Sequence, residues 1–217
     1  MPIMYVVAGP AGSGKTSAFP GDSFGCDYFN ADHYAAMLNG GSYIGISKSI
    51  RKEVGPICER FIQDHITACN DFATETTLRS TIAFEQMKQA HDAGFSVSFI
   101  YICVDSIGTS VKRVKQRAFM GGHSASEETV QDIRSKSLFN LRRAFEELGK
   151  IIDAFEIYDN SVFEMTPKLI ASFLGREINF LASDLPAWMD EALGQTPYST
   201  GKLLQFFEQG KPLPVAG

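Results

Sequence analysis

Several features are missing from the sequence, and each absence excludes a class of protein. The four cysteines show no CxxC or CxxxC spacing, so neither a zinc site nor a redox motif is indicated. A chain of 217 residues is long enough to bury a core without disulfides, and we expect buried free thiols. No signal peptide opens the chain, and no apolar run approaches the ~18 residues that a membrane span needs. The protein is therefore expected in the cytosol, without a membrane partner.

A basic excess is missing as well. The chain has 25 acidic and 20 basic residues and a formal net charge of -5, whereas a general nucleic-acid binder needs a positive surface. Nucleic acid is therefore not an expected partner. No internal repeat or low-complexity tract divides the chain, and 44% hydrophobic with 21% charged residues is ordinary for a globular protein. We expect one domain over residues 1–217.

What the sequence does contain is an alternation of strand and helix patterns. Apolar, β-branched runs at 3–8 and 97–104 are typical of strands buried on both faces. The other predicted elements are strands at 26–30, 71–75 and 155–159, and helices at 31–38, 47–67 (interrupted or kinked at Gly55-Pro56), 78–93, 109–120 and 127–149. This alternation predicts a three-layer α/β fold, with a mostly parallel central sheet flanked by helices.

The pattern changes after Asn160. Residues 169–174 and 177–181, split by Gly-Arg, predict a β-hairpin, and short helices are expected near Trp188 and Leu204. The core is thus predicted over about residues 3–161, with the hairpin and short helices filling about 162–217.

The strongest motif is G-x-x-x-x-G-K-[ST], formed by Gly9, Gly14, Lys15 and Thr16 between the first strand and a short helix. Glycines let backbone N–H groups surround a phosphate, and the helix N-terminus adds positive potential. Lys15 reaches the β- and γ-phosphates, and the Thr16 hydroxyl binds Mg²⁺. The motif predicts a fold of the P-loop NTPase type, with ATP and Mg²⁺ as cofactors. The predicted nucleotide site comprises Gly9, Pro10, Ala11, Gly12, Ser13, Gly14, Lys15, Thr16 and Ser17.

Carboxylates follow the neighbouring strands. Asp32 would face the nucleotide, because ligands bind at the carboxyl ends of parallel strands. It suits either a general base that accepts a proton from a substrate hydroxyl or a helix cap. Glu75, with Thr76 and Thr77, suits either a polyhydroxy substrate or the capped start of the next helix. Asp105 suits either Mg²⁺ contact or a helix cap.

Basic side chains form a further group of candidates. Arg113 and Arg117 are four residues apart and share a helix face, where they either clamp the γ-phosphate or are simply solvated. Arg134, on the following helix, is a further candidate catalytic residue. His123 comes after Gly121-Gly122, in a hinge between the two basic helices that is typical of a lid. We assign His123 to a lid over the substrate, since no histidine has a partner at metal-ligand spacing.

Together these motifs resemble the zeta-toxin family of P-loop kinases. The likeness rests on segments 9–16, 30–32, 72–78, 113–123, 137–141 and 157–161, whose order and spacing agree across about residues 3–161. The resemblance implies ATP-dependent phosphorylation of an alcohol group on a UDP-amino sugar, typically the 3′-hydroxyl of UDP-N-acetylglucosamine, or on a related small substrate. Some members are toxins held silent by a small antitoxin protein, and many others stand alone.

The resemblance also implies roles for individual residues. Asp32 would be the general base, with Lys15 on the phosphates. Glu75 and Thr76 would belong to the substrate site, and Arg113 with Arg117 would clamp the γ-phosphate.

Two departures from the family pattern concern the lid. Residues 124–126 are Ser-Ala-Ser where the family often has x-Val-Pro, and Ile-Arg-Ser-Lys-Ser at 133–137 stands where Arg-Tyr usually precedes Pro-Arg-Ser. The lid arginine is therefore missing or displaced onto Arg134.

Two alternative functions stay open. One is a P-loop kinase of a nucleoside or phosphorylated sugar, and the other is a nucleotide-dependent binding protein without turnover. A base at Asp32 argues against the binding protein.

Overall fold

The structure is a computed structural model that describes residues 1–122, 125–162 and 165–215. Its centre is a seven-stranded sheet in the order β2-β3-β1-β4-β5-β6-β7. The strands are β1 (Ile3–Ala8), β2 (Asp27–Asn30), β3 (Phe72–Thr76), β4 (Ser96–Cys103), β5 (Ala154–Asp159), β6 (Lys168–Leu174) and β7 (Glu177–Leu181). The first five strands pair in parallel, and β6 with β7 adds an antiparallel hairpin. The predicted strands and hairpin are confirmed to within one residue at each end.

The helices connect these strands in the expected order. They are α1 (Lys15–Ala18), α2 (Ala31–Leu38), α3 (Lys48–Ala68), α4 (Ile82–Asp92), α5 (Ile107–Phe119), α6 (Glu127–Glu147), α7 (Ala187–Leu193) and α8 (Thr200–Glu208), with a 3₁₀ helix at Gly21–Phe24. The two short C-terminal helices predicted near Trp188 and Leu204 are thus confirmed.

Two helix predictions are corrected. The interruption expected at Gly55-Pro56 is wrong, because α3 runs through Pro56 as one helix. A proline removes one backbone hydrogen bond, and the buried side chains of Val54 and Ile62 on either side stabilise the helix by packing. Helix α4 begins at Ile82 rather than at Leu78. Leu78 has a left-handed backbone, with φ of 54°, which a right-handed helix cannot include.

The main core lies on one face of the sheet. Residues paired in register point to the same face, so Val6, Thr74, Phe99 and Phe155 form a row there. Helices α3, α4, α6, α7 and α8 pack over this face, with buried Ile62, Phe84, Phe145, Trp188 and Leu203 in the same apolar cluster.

The opposite face carries the segment that contains α1 and the 3₁₀ helix. Phe24 of this segment packs against the rings of Tyr5 and Tyr28, with centroids 5.1 and 6.0 Å away, and Phe19 packs against Tyr158. Helical segments therefore lie on both faces, and the predicted three-layer α/β fold is confirmed.

The sequence also predicted buried free thiols and no membrane-spanning segment. All four cysteines are free thiols, as expected. Their expected burial holds for Cys103, whereas Cys26 and Cys58 are half-buried and Cys69 is exposed. Within the described ranges, none of the helices combines the length and apolar character that crossing a membrane requires.

Candidate active site

The loop between β1 and α1 has a shape that requires glycine. Gly12 and Gly14 have φ of 77° and 90°, a left-handed conformation that a Cβ atom disfavours. A Cβ on Gly9 would lie 2.0 Å from the carbonyl oxygen of Ile102, and one on Gly14 would lie 2.3 Å from the side-chain nitrogen of Asn160. The ends of β4 and β5 therefore press against the loop and fix its path.

Lys15 is buried at the base of this loop. Its Nζ donates hydrogen bonds to the carbonyl oxygens of Gly9 (2.9 Å) and Pro10 (3.1 Å) and lies 3.9 Å from Glu75 Oε1. Burial lowers the pKa of Lys15, the Glu75 carboxylate opposes this shift, and the positive charge of Arg117 adds to it. Glu75 is therefore the counter-ion that favours the charged form of Lys15.

Glu75 is the penultimate residue of β3 and accepts hydrogen bonds from two hydroxyl groups. Thr16 Oγ1 and the Tyr28 hydroxyl each donate a 2.7 Å hydrogen bond to Glu75 Oε2. The helix-cap alternative is wrong for Glu75, since α4 begins at Ile82 and its capping position is Thr81. Two of these partners of Glu75, Lys15 and Thr16, belong to the P-loop motif. Thr76 and Thr77 lie at the same strand end. The Thr76 hydroxyl accepts a hydrogen bond from the Leu78 amide.

These side chains fit a phosphate chain with its cation. The Ser13 hydroxyl is buried within the loop and has no hydrogen-bond partner among the described residues. Thr16 and Glu75 present hard oxygen atoms beside each other. Mg²⁺ in nucleotide sites is commonly held by one or two carboxylates together with substrate phosphates. The residues present therefore suit both ATP and Mg²⁺.

Asp32 lies in the first turn of α2, next to the same strand ends. The helix-cap alternative is wrong for this residue, because Asn30 is the cap and its side chain accepts a 3.0 Å bond from the His33 amide. The Asp32 carboxylate is 43% exposed and lies 3.7 Å from Arg51. Its negative charge raises the pKa of Lys15, which is consistent with a position close to the P-loop.

The basic residues of α5 and α6 differ in their surroundings. Arg117 is exposed on α5, and its charge acts on Lys15. Arg113, one turn earlier, is half-buried. His123, the predicted lid residue, lies outside the described residues.

Arg134 requires a correction, because its contacts do not suit the predicted catalytic role. Only 4% of the residue is exposed. Its guanidinium group donates to the carbonyl oxygens of Val104 (2.9 Å) and Asp105 (3.3 Å) and to Glu191 Oε2 (3.2 Å). Arg134 thus joins the end of β4 to α7. In the sequence it reads as an ordinary basic residue on a helix, and nothing there indicates that its side chain is buried.

Both predictions for Asp105 receive no support from the structure. Ser106 caps α5 by accepting a hydrogen bond from the Thr109 amide. Asp105 itself is exposed, whereas the carboxylate that contacts Thr16 belongs to Glu75.

Two residues of the site were not predicted in their roles. Tyr28 binds Glu75, and the only available signal was the two-residue repeat of a strand, which puts Tyr28 on the same face as Asn30. Asn160 donates a 2.8 Å bond to the Ser13 carbonyl oxygen. The preceding Asp159 accepts a 2.9 Å bond from Trp188 Nε1, so the P-loop is linked to α7.

Comparison with known sequences gives one family relationship. No family model matches the chain. An "uncharacterized protein" of Haemophilus influenzae is 30% identical over 128 residues, which cover 57% of this chain and 86% of the relative. The chain belongs to the family of this Haemophilus protein. Because that relative is described only as uncharacterized, membership in its family does not indicate an activity for this chain.

Comparison with solved structures gives the fold. The AvrRxo1-ORF1:-ORF2 structure with ATP matches with a TM-score of 0.64 at 14% identity and covers 98% of this chain and 77% of that chain. The PezAT chromosomal toxin–antitoxin system of Streptococcus pneumoniae matches with a TM-score of 0.62 at 17% identity, over 96% of this chain and 85% of that chain. At these identities the likeness shows a shared fold, which agrees with the predicted P-loop NTPase type.

Proposed function

We propose that this protein is an ATP-dependent kinase that phosphorylates a hydroxyl group of a small molecule. The observation that carries the proposal is the grouping of a P-loop, the Lys15–Glu75–Thr16 contacts and a carboxylate, Asp32, at one edge of the sheet. A binding protein needs the first two features but gains nothing from a base beside them.

Each part of the site has a distinct task in this proposal. The loop amides, Ser13 and Lys15 bind the phosphates, and Thr16 with Glu75 holds Mg²⁺, which would neutralise phosphate charge. Asp32 accepts the proton of the acceptor hydroxyl. Arg113 and Arg117 stabilise the negative charge of the group in transfer, as guanidinium groups do in other phosphotransferases.

The acceptor is proposed from the zeta-toxin resemblance. It is a UDP-amino sugar such as UDP-N-acetylglucosamine, contacted by Thr76, Thr77 and the lid that includes His123. A small antitoxin is the proposed protein partner, supported by the structural likeness to the PezAT toxin–antitoxin system. Expression in a bacterial host should then slow growth. Growth at the normal rate with the active enzyme present would contradict the toxin part of the proposal alone.

Screening for acceptor-dependent ATP consumption tests the kinase activity. UDP-sugars, nucleosides and phosphorylated sugars form the panel, and UDP-N-acetylglucosamine is the expected substrate. Turnover with a nucleoside instead would support the kinase activity but contradict the proposed UDP-amino sugar acceptor. No phosphoryl transfer to any hydroxyl compound, with ATP bound, would leave a binding protein.

Asp32→Asn tests the proposed base. Asparagine preserves the shape but cannot accept a proton near neutral pH, so turnover should fall by about 10²- to 10⁴-fold while ATP still binds. Because Asn30 and not Asp32 caps α2, loss of a cap cannot explain such a result. The matched control is Asp64→Asn, the same change at an exposed position of α3, which should retain full turnover. Equal turnover of the Asp32 and Asp64 variants would remove the catalytic assignment.

A further inference from the structure

Tyr28 is a tyrosine whose hydroxyl binds Glu75 beside the P-loop. It lies on β2, on the face of the sheet that carries α1, and donates its 2.7 Å bond to Glu75 Oε2. Thr16 donates to the same oxygen atom from the other side. Tyr28 itself has no place in the P-loop motif, in the proposed base or in the phosphate clamp.

The two hydroxyl groups together restrain a flexible carboxylate. A glutamate side chain loses substantial rotamer freedom when it is fixed, and a buried one beside a lysine is attracted to the ammonium group. Glu75 Oε1 nevertheless stays 3.9 Å from Lys15 Nζ, beyond the 2.7–3.2 Å of a typical hydrogen bond. The Tyr28 bond thus holds the carboxylate on the Thr16 side.

We propose that Tyr28 is a positioning residue for the cation site: its hydroxyl holds the Glu75 carboxylate beside Thr16 and so strengthens the binding of ATP with Mg²⁺ relative to ATP alone. This inference rests on the proposed function, since it presumes that the P-loop binds ATP. It adds a residue on a different strand that no motif assigns.

Titration calorimetry with Tyr28→Phe tests the inference without any turnover. The quantity measured is the Mg²⁺ enhancement, the ratio of the ATP dissociation constant in EDTA to that in Mg²⁺. Losing a hydrogen bond to a charged group should lower the enhancement by about tenfold. Phenylalanine keeps the ring contact with Phe24, and circular dichroism confirms that the variant folds.

The chain offers a matched control on the same face of the sheet. Tyr158 donates a 2.8 Å bond to Glu156, a tyrosine–glutamate pair of the same kind away from Thr16. Tyr158→Phe should leave the Mg²⁺ enhancement at the wild-type value. An equal loss in both variants would overturn the proposal, because the effect would then not depend on Glu75.

A double-mutant cycle shows whether Tyr28 acts through Glu75. Glu75→Gln should lower the Mg²⁺ enhancement, and adding Tyr28→Phe to it should lower the enhancement no further. An additive loss, or an unchanged enhancement in Tyr28→Phe, would overturn the positioning role while the kinase proposal stands. A wild-type protein that binds no ATP would overturn the proposed function first, and this inference with it.

Discussion

At the scale of single residues, the site is organised around the ion pair of Lys15 and Glu75. Lys15 must be charged to hold a phosphate, yet it is buried, and burial alone favours the neutral amine. Glu75 offsets part of this cost. The same carboxylate is shared with Thr16 and Tyr28, so one side chain supports both the phosphate contact and the proposed cation contact.

The pH dependence of ATP affinity tests this pairing. The pKa of Lys15 is already lowered by burial, so ATP affinity should be lost as pH rises through that pKa. Glu75→Gln removes the charge that opposes the shift, and the loss should then occur at a lower pH than in the wild type. Titrations in EDTA, without Mg²⁺, separate this effect from the cation site.

The control for this experiment is Glu156→Gln, which changes the glutamate of the Tyr158 pair. Its affinity profile should coincide with that of the wild type. If Glu75→Gln also follows the wild-type profile, Glu75 is not the counter-ion of Lys15.

The sequence predicted residues whose proposed role depends on local geometry, and it missed contacts between distant positions. Lys15 and Thr16 follow from the loop motif, and Asp32 follows from its place after a strand. The Tyr28–Glu75 bond spans 47 residues and the Arg134–Glu191 bond spans 57. No spacing rule links positions so far apart, and the burial of Arg134 was therefore not predicted.

At the scale of elements, the two basic helices have separate tasks. Helix α5 carries Arg117, whose charge acts on Lys15. Helix α6 carries Arg134, whose guanidinium group is enclosed by the end of β4 and by α7. The sequence predicted Arg117 in the γ-phosphate clamp and Arg134 as a displaced lid arginine, and the packing of α6 separates Arg134 from such a role.

Arg117→Ala should lower turnover by at least about tenfold with nearly unchanged ATP affinity, because an arginine finger acts chiefly in the transition state. Steady-state kinetics combined with calorimetry measures both quantities. Lys112→Ala, an exposed basic position on the same helix, is the control and should behave as wild type. A similar effect from both variants would indicate a general influence of positive charge rather than a contact with the phosphate.

Element boundaries were predictable where hydrophobic patterns end sharply. The strand β1 and the helix α2 were predicted at their observed limits. The late start of α4 was not predictable, because it depends on the left-handed Leu78, whose carbonyl oxygen accepts a 2.9 Å bond from Asn140 of α6. A tertiary contact of this kind leaves no periodic signal.

At the scale of the whole molecule, the segment after Asn160 belongs to the same core as the P-loop strands. Strand β6 extends the sheet beside β5, and its Phe173 packs against Phe145 and Phe155, with ring centroids 5.4 and 5.6 Å away. The resemblance to known kinases ended near residue 161, and composition alone could not show how closely the remainder packs.

Phe173→Ala should therefore destabilise the entire fold. Truncating a buried phenylalanine typically costs about 3–5 kcal/mol, which should appear in denaturant unfolding as one cooperative transition at lower denaturant concentration. Leu174→Ala is the control, since the adjacent side chain is 59% exposed and should change stability by about 0.5 kcal/mol or less. A separate early transition for the C-terminal part would show instead that this part unfolds on its own.

The hydrogen bond between Trp188 and Asp159 makes intrinsic tryptophan fluorescence a possible reporter of the P-loop. Trp188 is the sole tryptophan of the sequence and is buried, and Asp159 directly precedes the residue that holds the Ser13 carbonyl. Indole emission changes with the polarity and hydrogen bonding around the ring. A shift of the loop on nucleotide binding would reach this indole through two adjacent side chains. Intrinsic fluorescence can then follow loading of the site in the unmodified protein, and stopped-flow mixing would give its rate without any attached dye.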